Sequence, residues 1–280
     1  NTYRQRGTLD AWRDRVAAPC IGNSRLVFAV SASFAAALMH LINMESGGFH
    51  CRGGSSSGKT TALEAACSVF GGPDFMQRWR ATDNALESIA AQHCDGPLVL
   101  DEIAQVDAKA LGEIVYMLGN GMSKARATRN GTPRARLRWR LMFFSSGEIS
   151  MSAHMEEGQK RARAGQDVRM ADICMDTGSG MDGFEDIHGA ESPAAFSNSL
   201  KSECQSVYGT AGRAWLEWVT KNANSLKARI KHEMEAVAGQ MIPESAAGQV
   251  HRVGQRFALV GAAGELATEA GLTGWPKGES

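Results

Sequence analysis

The fold class predicted by this 280-residue sequence is α/β: a parallel sheet with crossover helices, followed by a carboxyl-terminal lobe made of helices alone. Three observations predict it. Short apolar runs alternate with segments of helical spacing between residues 49 and 144, the order that a parallel sheet with crossover helices requires. A run of glycines and serines, Gly53-Gly-Ser-Ser-Ser-Gly-Lys-Thr60, stands between a strand and a helix. From Ser192 onward only helical patterns recur.

In order along the chain, Thr8 caps a short helix reaching Trp12, and residues 24–43 form a long apolar helix. Gly47-Gly48 breaks the pattern, and residues 49–51 run extended into the glycine-rich loop. Helical spacing follows over 61–70 and 84–93, with a Gly71-Gly72-Pro73 stop between them. Asp95-Gly96-Pro97 turns the chain into the apolar strand 98–100, which ends in Asp101 and Glu102. Residues 108–118 read as the next helix, closed by Gly119 to Gly121. After an arginine-rich segment comes the apolar strand 141–144, ending at Ser145-Ser146-Gly147-Glu148. Residues 159–166 read as a polar loop, 168–173 as the last strand and 175–189 as a loop rich in Gly and Asp. The helical lobe is expected over 194–207, 211–226, 227–239 and 245–270. The expected divisions are an amino-terminal helical segment over 1–47, an α/β core over 48–190 and the lobe over 191–280, with no internal repeat.

Composition narrows the function classes. Thirty Lys plus Arg balance thirty Asp plus Glu, with 43% hydrophobic and 21% charged residues. This excludes a disordered chain and a small disulfide-stapled scaffold. A neutral total also excludes a polyelectrolyte binder taken as a whole, though not a local basic patch. The cysteines Cys20, Cys51, Cys67, Cys94, Cys174 and Cys204 form no C-x-x-C pair, which points to a reducing cytoplasm. The most apolar stretch, 26–42, carries Ser31, Ser33 and His40 and lacks a basic flank followed by a cleavage site, so it reads as a buried helix rather than a membrane segment. The sequence opens on Asn1 rather than Met, as a processed chain or an excised piece of something longer would.

Gly53-x-x-x-x-Gly58-Lys59-Thr60 fits the phosphate-loop pattern in full, in the strand-to-helix context the pattern requires. Glycines let the backbone turn its N–H groups inward around phosphates at a helix start, so Gly53, Gly54, Ser55, Ser56, Ser57, Gly58, Lys59, Thr60 and Thr61 form the expected ATP-binding set. Lys59 is placed to reach the β- and γ-phosphates, and the Thr60 hydroxyl to ligate Mg²⁺. Forty-two residues after Lys59, Asp101 and Glu102 supply the second half of the site. Asp101 is expected to hold Mg²⁺ through water, and Glu102 to orient or deprotonate the water that attacks the γ-phosphate. The end of the next strand offers a polar side chain between that acid and the γ-phosphate, Ser146, with Ser145 as its rival.

Residues 122–140 contain Lys124, Arg126, Arg129, Arg134, Arg136, Arg138 and Arg140 and no acid. Asn130-Gly131 is a strong hairpin signal, and Arg134, Arg136, Arg138 and Arg140 share a face at period two. A basic β-hairpin of this kind suits a nucleic-acid backbone in a ring pore, with Lys124, Arg126, Arg129, Arg134, Arg136 and Arg138 as contacts. A solvated charged hairpin or a subunit contact is the alternative. Arg169, then Arg163 and Arg161, are candidates for an arginine supplied in trans to a neighbouring subunit's γ-phosphate, each with a surface ion pair as its alternative. Arg252 and Arg256 are candidates for an arginine acting in cis, against a plain helix-surface charge. His93, His188 and the other histidines show no metal-ligand spacing and read as structural.

Several of these runs also form an ordered set: Gly22-Asn-Ser-Arg-Leu26, the loop from Gly53 to Thr61, Trp79 to Glu87, Leu100-Asp-Glu-Ile103 with Gln105, Val115 to Gly121 and Ser145-Ser-Gly-Glu148. It continues through Ala164-Gly-Gln166, Val168-Arg169, Arg256-Phe-Ala258 and Ala263-Gly-Glu-Leu266. This set resembles the family catalogued as domain of unknown function 927 over nearly the whole chain. Members of that family resemble the helicase half of primase–helicase proteins of phages, plasmids and integrated elements. The resemblance implies an oligomeric replicative-type ATPase related to the AAA+ and superfamily-three helicases, hence a P-loop NTPase with an AAA+/RecA-like sheet. It implies a homo-oligomeric, hexameric ring acting on single-stranded DNA, and any primase or zinc-binding segment would belong to a missing amino-terminal part. The expected function is an ATP-hydrolysing DNA helicase or translocase of a mobile element. A protein-remodelling ATPase, or a nucleotide-binding scaffold without motor activity, is the alternative.

Overall fold

Five strands lie parallel in one sheet: β1 (Gly47–Arg52), β2 (Gln77–Arg78), β3 (Gly96–Asp101), β4 (Leu141–Gly147) and β5 (Met170–Cys174), in the spatial order β2-β3-β4-β1-β5. The computed structural model describes residues 2–80, 82–127, 132–160 and 164–280. Arg129, the Asn130-Gly131 turn signal, Arg161 and Arg163 lie outside the described residues. β1, β3 and β4 are buried along nearly their whole length, as inner parallel strands covered on both faces must be. β5, on one edge, alternates between covered and open residues. β2, on the other edge, is two residues long and carries no readable period, so the sequence does not announce it.

The α-helices of the described residues are α1 (Leu9–Trp12), α2 (Ser24–Leu38), α3 (Lys59–Ser68), α4 (Asp83–Gln92), α5 (Leu111–Asn120), α6 (Met151–Glu157), α7 (Ala164–Asp167), α8 (Pro193–Ser206), α9 (Thr210–Met241) and α10 (Gly248–Glu269). One face of the sheet, through Phe49, Val99 and Phe144, joins α2, α3 and α8–α10 in one apolar core. The other face, through Leu98, Leu100 and Phe143, packs on α4, α5 and α6. α2 lies against both α3 and α10, which is why it is apolar nearly all round. Among the described residues no helix is long and apolar enough to cross a membrane.

Three expectations are corrected. The long apolar helix stops at Leu38 rather than Asn43, because residues 39–43 turn and Asn43 takes φ = 55°, a left-handed conformation that Asn tolerates better than most residues. The segments 211–226 and 227–239 are one 32-residue helix. No Gly or Pro separates them, and Leu226, Ile230, Met234 and Ala238 continue a single buried stripe at four-residue spacing. Residues 164–166, expected in a loop, fall in the short helix α7.

The strand order places the site. β4 is inserted between β1 and β3 although it follows both in sequence, so the chain reverses direction across the sheet there. Open α/β sheets bind ligands beyond the carboxyl ends of the strands at such a reversal.

Candidate functional site

β1 ends at Arg52, and the loop that follows carries Ser56 at φ = 65° and Gly58 at φ = 82°. Gly58 is required twice over: its backbone is left-handed, and a Cβ there would stand 3.0 Å from Phe184 Cζ. α3 starts on Lys59 with no side chain capping it, so its first N–H groups face the loop. The Lys59 ammonium folds back over the loop, donating to the carbonyls of Gly53 (2.7 Å) and Gly54 and reaching toward Ser57 Oγ at 3.4 Å. Thr60 is exposed, whereas Thr61 is buried and its hydroxyl bonds Ser197 of α8 at 2.6 Å. The Thr61 side chain is therefore committed to α8.

Asp101 closes β3 and Glu102 follows it at φ = 61°, an uncommon conformation for a residue with a side chain. The Ser146 hydroxyl joins the two: it donates to Asp101 Oδ1 and accepts the Glu102 N–H at 3.0 Å. Ser145, the next residue back, points to the opposite face, as strand alternation demands. Its oxygen accepts the Trp79 indole N–H at 2.9 Å and lies 2.9 Å from His50 Nδ1. His50 Nε2 lies 2.9 Å from the Ile149 carbonyl. A carbonyl can only accept, so Nε2 carries the proton and Nδ1 accepts from Ser145. Burial pushes the His50 pKa down to about 4. The Ile149 bond opposes that shift, while Arg52, Lys59 and His154 add to it. The structure thus separates the two serines, with Ser146 beside Asp101 and Ser145 committed to His50 and Trp79.

Lys59, Asp101, Glu102 and Ser146 all belong to the carboxyl end of the sheet, and the Gly53 N–H donates to Gly147 O at 3.2 Å, tying the loop to the turn after β4. Arg169 is not brought to them. It precedes β5 at the amino end of the sheet, where its carbonyl accepts the Gly48 N–H, about 17 Å of strand away from the loop. There its guanidinium donates to Gly165 O (2.7 Å) and Asn120 Oδ1 (2.9 Å) and lies 4.0 Å over the Tyr116 ring. Arg256, a candidate for acting in cis, does not reach the loop of its own chain either. It is buried at the amino end of β1, donates to Val168 O at 3.1 Å, and fills the space a Cβ on Gly47 would need. Burial and Arg169 push its pKa down to about 10 against the pull of Glu45. Arg252 is exposed one turn earlier on α10.

The basic segment forms two antiparallel arms. Met122 bridges Arg138, Ala127 bridges Pro133, and the Arg134 N–H donates to Arg126 O at 2.8 Å. The expectation that its cations lack compensation is overturned at Arg126. Glu87 of α4, fully buried, takes the Arg126 guanidinium at 2.6 Å on one oxygen and the Lys124 N–H at 2.9 Å on the other. Arg126 also donates to Asn84 Oδ1 at 2.6 Å. Arg140 leaves the expected ridge too, lying 2.8 Å from His40 Nδ1 and 3.8 Å from Asp95. Arg134, Arg136 and Arg138 remain exposed, and Trp139 anchors the root, donating to Leu118 O at 3.1 Å. The sequence assigned no site role to His50, read with the other histidines as structural, or to Trp79 and Glu87, which bound one run of the resemblance. The only local signal was at Glu87, an acid beside the apolar Leu86 and Ala90 face of its helix.

The sheet order, the left-handed loop and the helix beginning on Lys59 define the fold of P-loop NTPases. Residues 1–138 match the family model described as Domain of unknown function (DUF927). The structure described as "SCCmec type IV Cch - active helicase" superposes on 96% of this chain with a TM-score of 0.69 and 20% identity, a likeness of fold. This chain covers 48% of that helicase, so it spans about half its length. The ATP complex of NtrX from Brucella abortus covers 80% of this chain at 13% identity, and JCV helicase with a bound substituted acetamide does the same. Both have TM-scores of 0.32, too low to bear on the fold. No curated protein matches the sequence.

Proposed function

We propose that this chain is the ATP-hydrolysing core of a nucleic-acid motor, a DNA helicase or translocase of a mobile element, assembled as a homo-oligomeric ring. The observation that carries the reading is the convergence of the phosphate loop with Asp101, Glu102 and Ser146 at the strand-order reversal. The loop N–H groups and α3 receive the phosphates, and Lys59 exchanges the loop carbonyls for the β- and γ-phosphates. Thr60 and Asp101 offer hard oxygen donors, a set that fits Mg²⁺. Bound there, the ion would neutralise phosphate charge. Glu102 orients the attacking water, and Ser146 keeps Asp101 and the Glu102 backbone in register. Arg169 would serve the site of the next subunit, since its own lies at the other end of the sheet. Arg134, Arg136 and Arg138 would meet the phosphates of single-stranded DNA. The working divisions remain 1–47, 48–190 and 191–280.

The test is steady-state ATP turnover with and without single-stranded DNA, in the wild type, in Lys59→Ala and in a triple variant with Arg134, Arg136 and Arg138 changed to Ala. Turnover lost with Lys59, and DNA stimulation lost with the three arginines, is the expected result. Turnover that persists without Lys59 removes the site assignment, and turnover indifferent to DNA points to protein remodelling.

A further inference from the structure

We infer that His50 is a positioning residue of the nucleotide site: its ring holds the turn after β4 against the start of the phosphate loop. This rests on the ATPase reading above. A central strand of a parallel sheet ordinarily takes an aliphatic or aromatic residue at such a position, as Phe49 next to it does, and burying an imidazole there costs free energy unless both nitrogens are bonded.

Both are bonded, and to different places. Nδ1 accepts from Ser145, so it grips the end of β4 one residue before the serine that joins Asp101 to Glu102. Nε2 donates to Ile149 O, on the far side of the turn at residues 147–149. Between those anchors the ring packs on Gly147, where a Cβ would stand 3.0 Å from His50 Cε1 and 2.5 Å from Ile103 Cγ2. The Gly147 carbonyl in turn accepts the Gly53 N–H, the first amide of the loop. One side chain on β1 therefore bonds the residue before Ser146 and the far end of the turn that touches Gly53. Trp79 closes the set by donating to Ser145, which leaves the Ser145 proton for Nδ1.

Two amide side chains divide the imidazole between them. Asn at position 50 keeps an acceptor near the place of Nδ1 and loses the donor to Ile149, whereas Gln keeps a donor near Nε2 and loses the acceptor. In the full chain, His50→Asn should lower kcat for ATP about 10- to 100-fold, the scale of a small misplacement of reacting groups. KM for ATP should stay within about twofold, because the loop still binds the nucleotide. His50→Gln, which keeps the tether to the turn, should recover at least half of the lost logarithm of kcat. Ser145→Ala, which leaves the imidazole in place, should resemble His50→Gln. Independently of turnover, the ¹⁵N signals of His50 should report the Nε2–H tautomer at pH 7.

Wild-type kcat in His50→Asn overturns the inference, as does equal loss in the Asn and Gln variants or a fall in kcat matched by weaker ATP binding. An Nδ1–H tautomer overturns it as well. Lys59→Ala in the same assay separates the two levels of the argument. If the wild type is no faster than Lys59→Ala, the ATPase reading fails and takes the inference with it. If the wild type is far faster and His50→Asn matches it, the positioning role alone fails.

Discussion

The carboxyl end of the sheet and the basic excursion at residues 122–138 are held in opposite ways. At the sheet end, β1, β3, β4 and Trp79 beyond β2 meet in buried hydrogen bonds, and each of His50, Ser145 and Ser146 has at least two partners. Among its described residues the excursion is held by isolated bridges, backbone bonds between its arms, Asn84 and the buried Glu87 of α4, and Trp139, and its outer arginines face solvent. On the proposed reading, groups that must keep sub-ångström relations are fixed by several strands at once, while charges that would meet a flexible polyanion need no such register.

The comparison is broken most directly at Lys59. Lys59→Ala should lower ATP turnover about 10²- to 10³-fold, the scale of losing one charge-stabilising donor. Affinity for single-stranded DNA without nucleotide, read by fluorescence anisotropy, should not change, because the excursion is anchored elsewhere. A parallel loss of both would show the two regions to be one unit.

Next is acid. The pKa of His50 is lowered from 6.5 to about 4 in the folded chain. Between those values the unfolded state binds more protons, so stability falls as pH drops from about 6.5 to 4 and levels off below. The largest loss from this group is about 3 kcal/mol. His93, also lowered by burial, adds in the same sense. Urea titrations between pH 7 and 4.5 should therefore give His50→Asn a shallower pH dependence than the wild type, and identical slopes would contradict the buried neutral imidazole. Arg52, Lys59 and His154 are the charged or titratable groups acting on His50, and all three disfavour its protonation.

A smaller effect is expected at the root of the excursion. Glu87→Ala leaves the Lys124 N–H without its acceptor and the Arg126 guanidinium without its buried counter-charge and should cost about 1–3 kcal/mol in chemical denaturation. The smallest effect separates anchor from contact. If Arg134, Arg136 and Arg138 each meet a phosphate, removing all three should reduce the slope of log K against log salt by about 2, at about 0.7 per contact on a single strand. Arg126→Ala should weaken binding while leaving that slope unchanged, since its charge already answers Glu87. A drop of about 0.7 with Arg126→Ala would return it to the set of contacts.

Much of the site was legible because its pieces are local. The loop from Gly53 to Thr60, the strand ending in Asp101 and the one ending in Ser145-Ser146 each lie within a few residues, and the structure places all three at one end of the sheet. The choice between Ser145 and Ser146 was not legible, because adjacent residues of a strand differ only in the face they take. Arg126 read as a free cation because the acid that answers it lies outside residues 122–140. Arg256 read as a helix-surface charge or a cis arginine because nothing within α10 marks the end of β1 that it fills.

Residue type and spacing thus determined the fold class, the glycine-rich turn into α3 and the acids that end β3, since these depend on backbone conformation and on which strand precedes which turn. Tertiary structure alone decided the partners of His50, 95 residues from Ser145, and of Ser145, 66 residues from Trp79. A hydrogen bond between strands is set by sheet order and register. Those follow from how all five strands and their covering helices bury apolar surface together, which no single segment encodes.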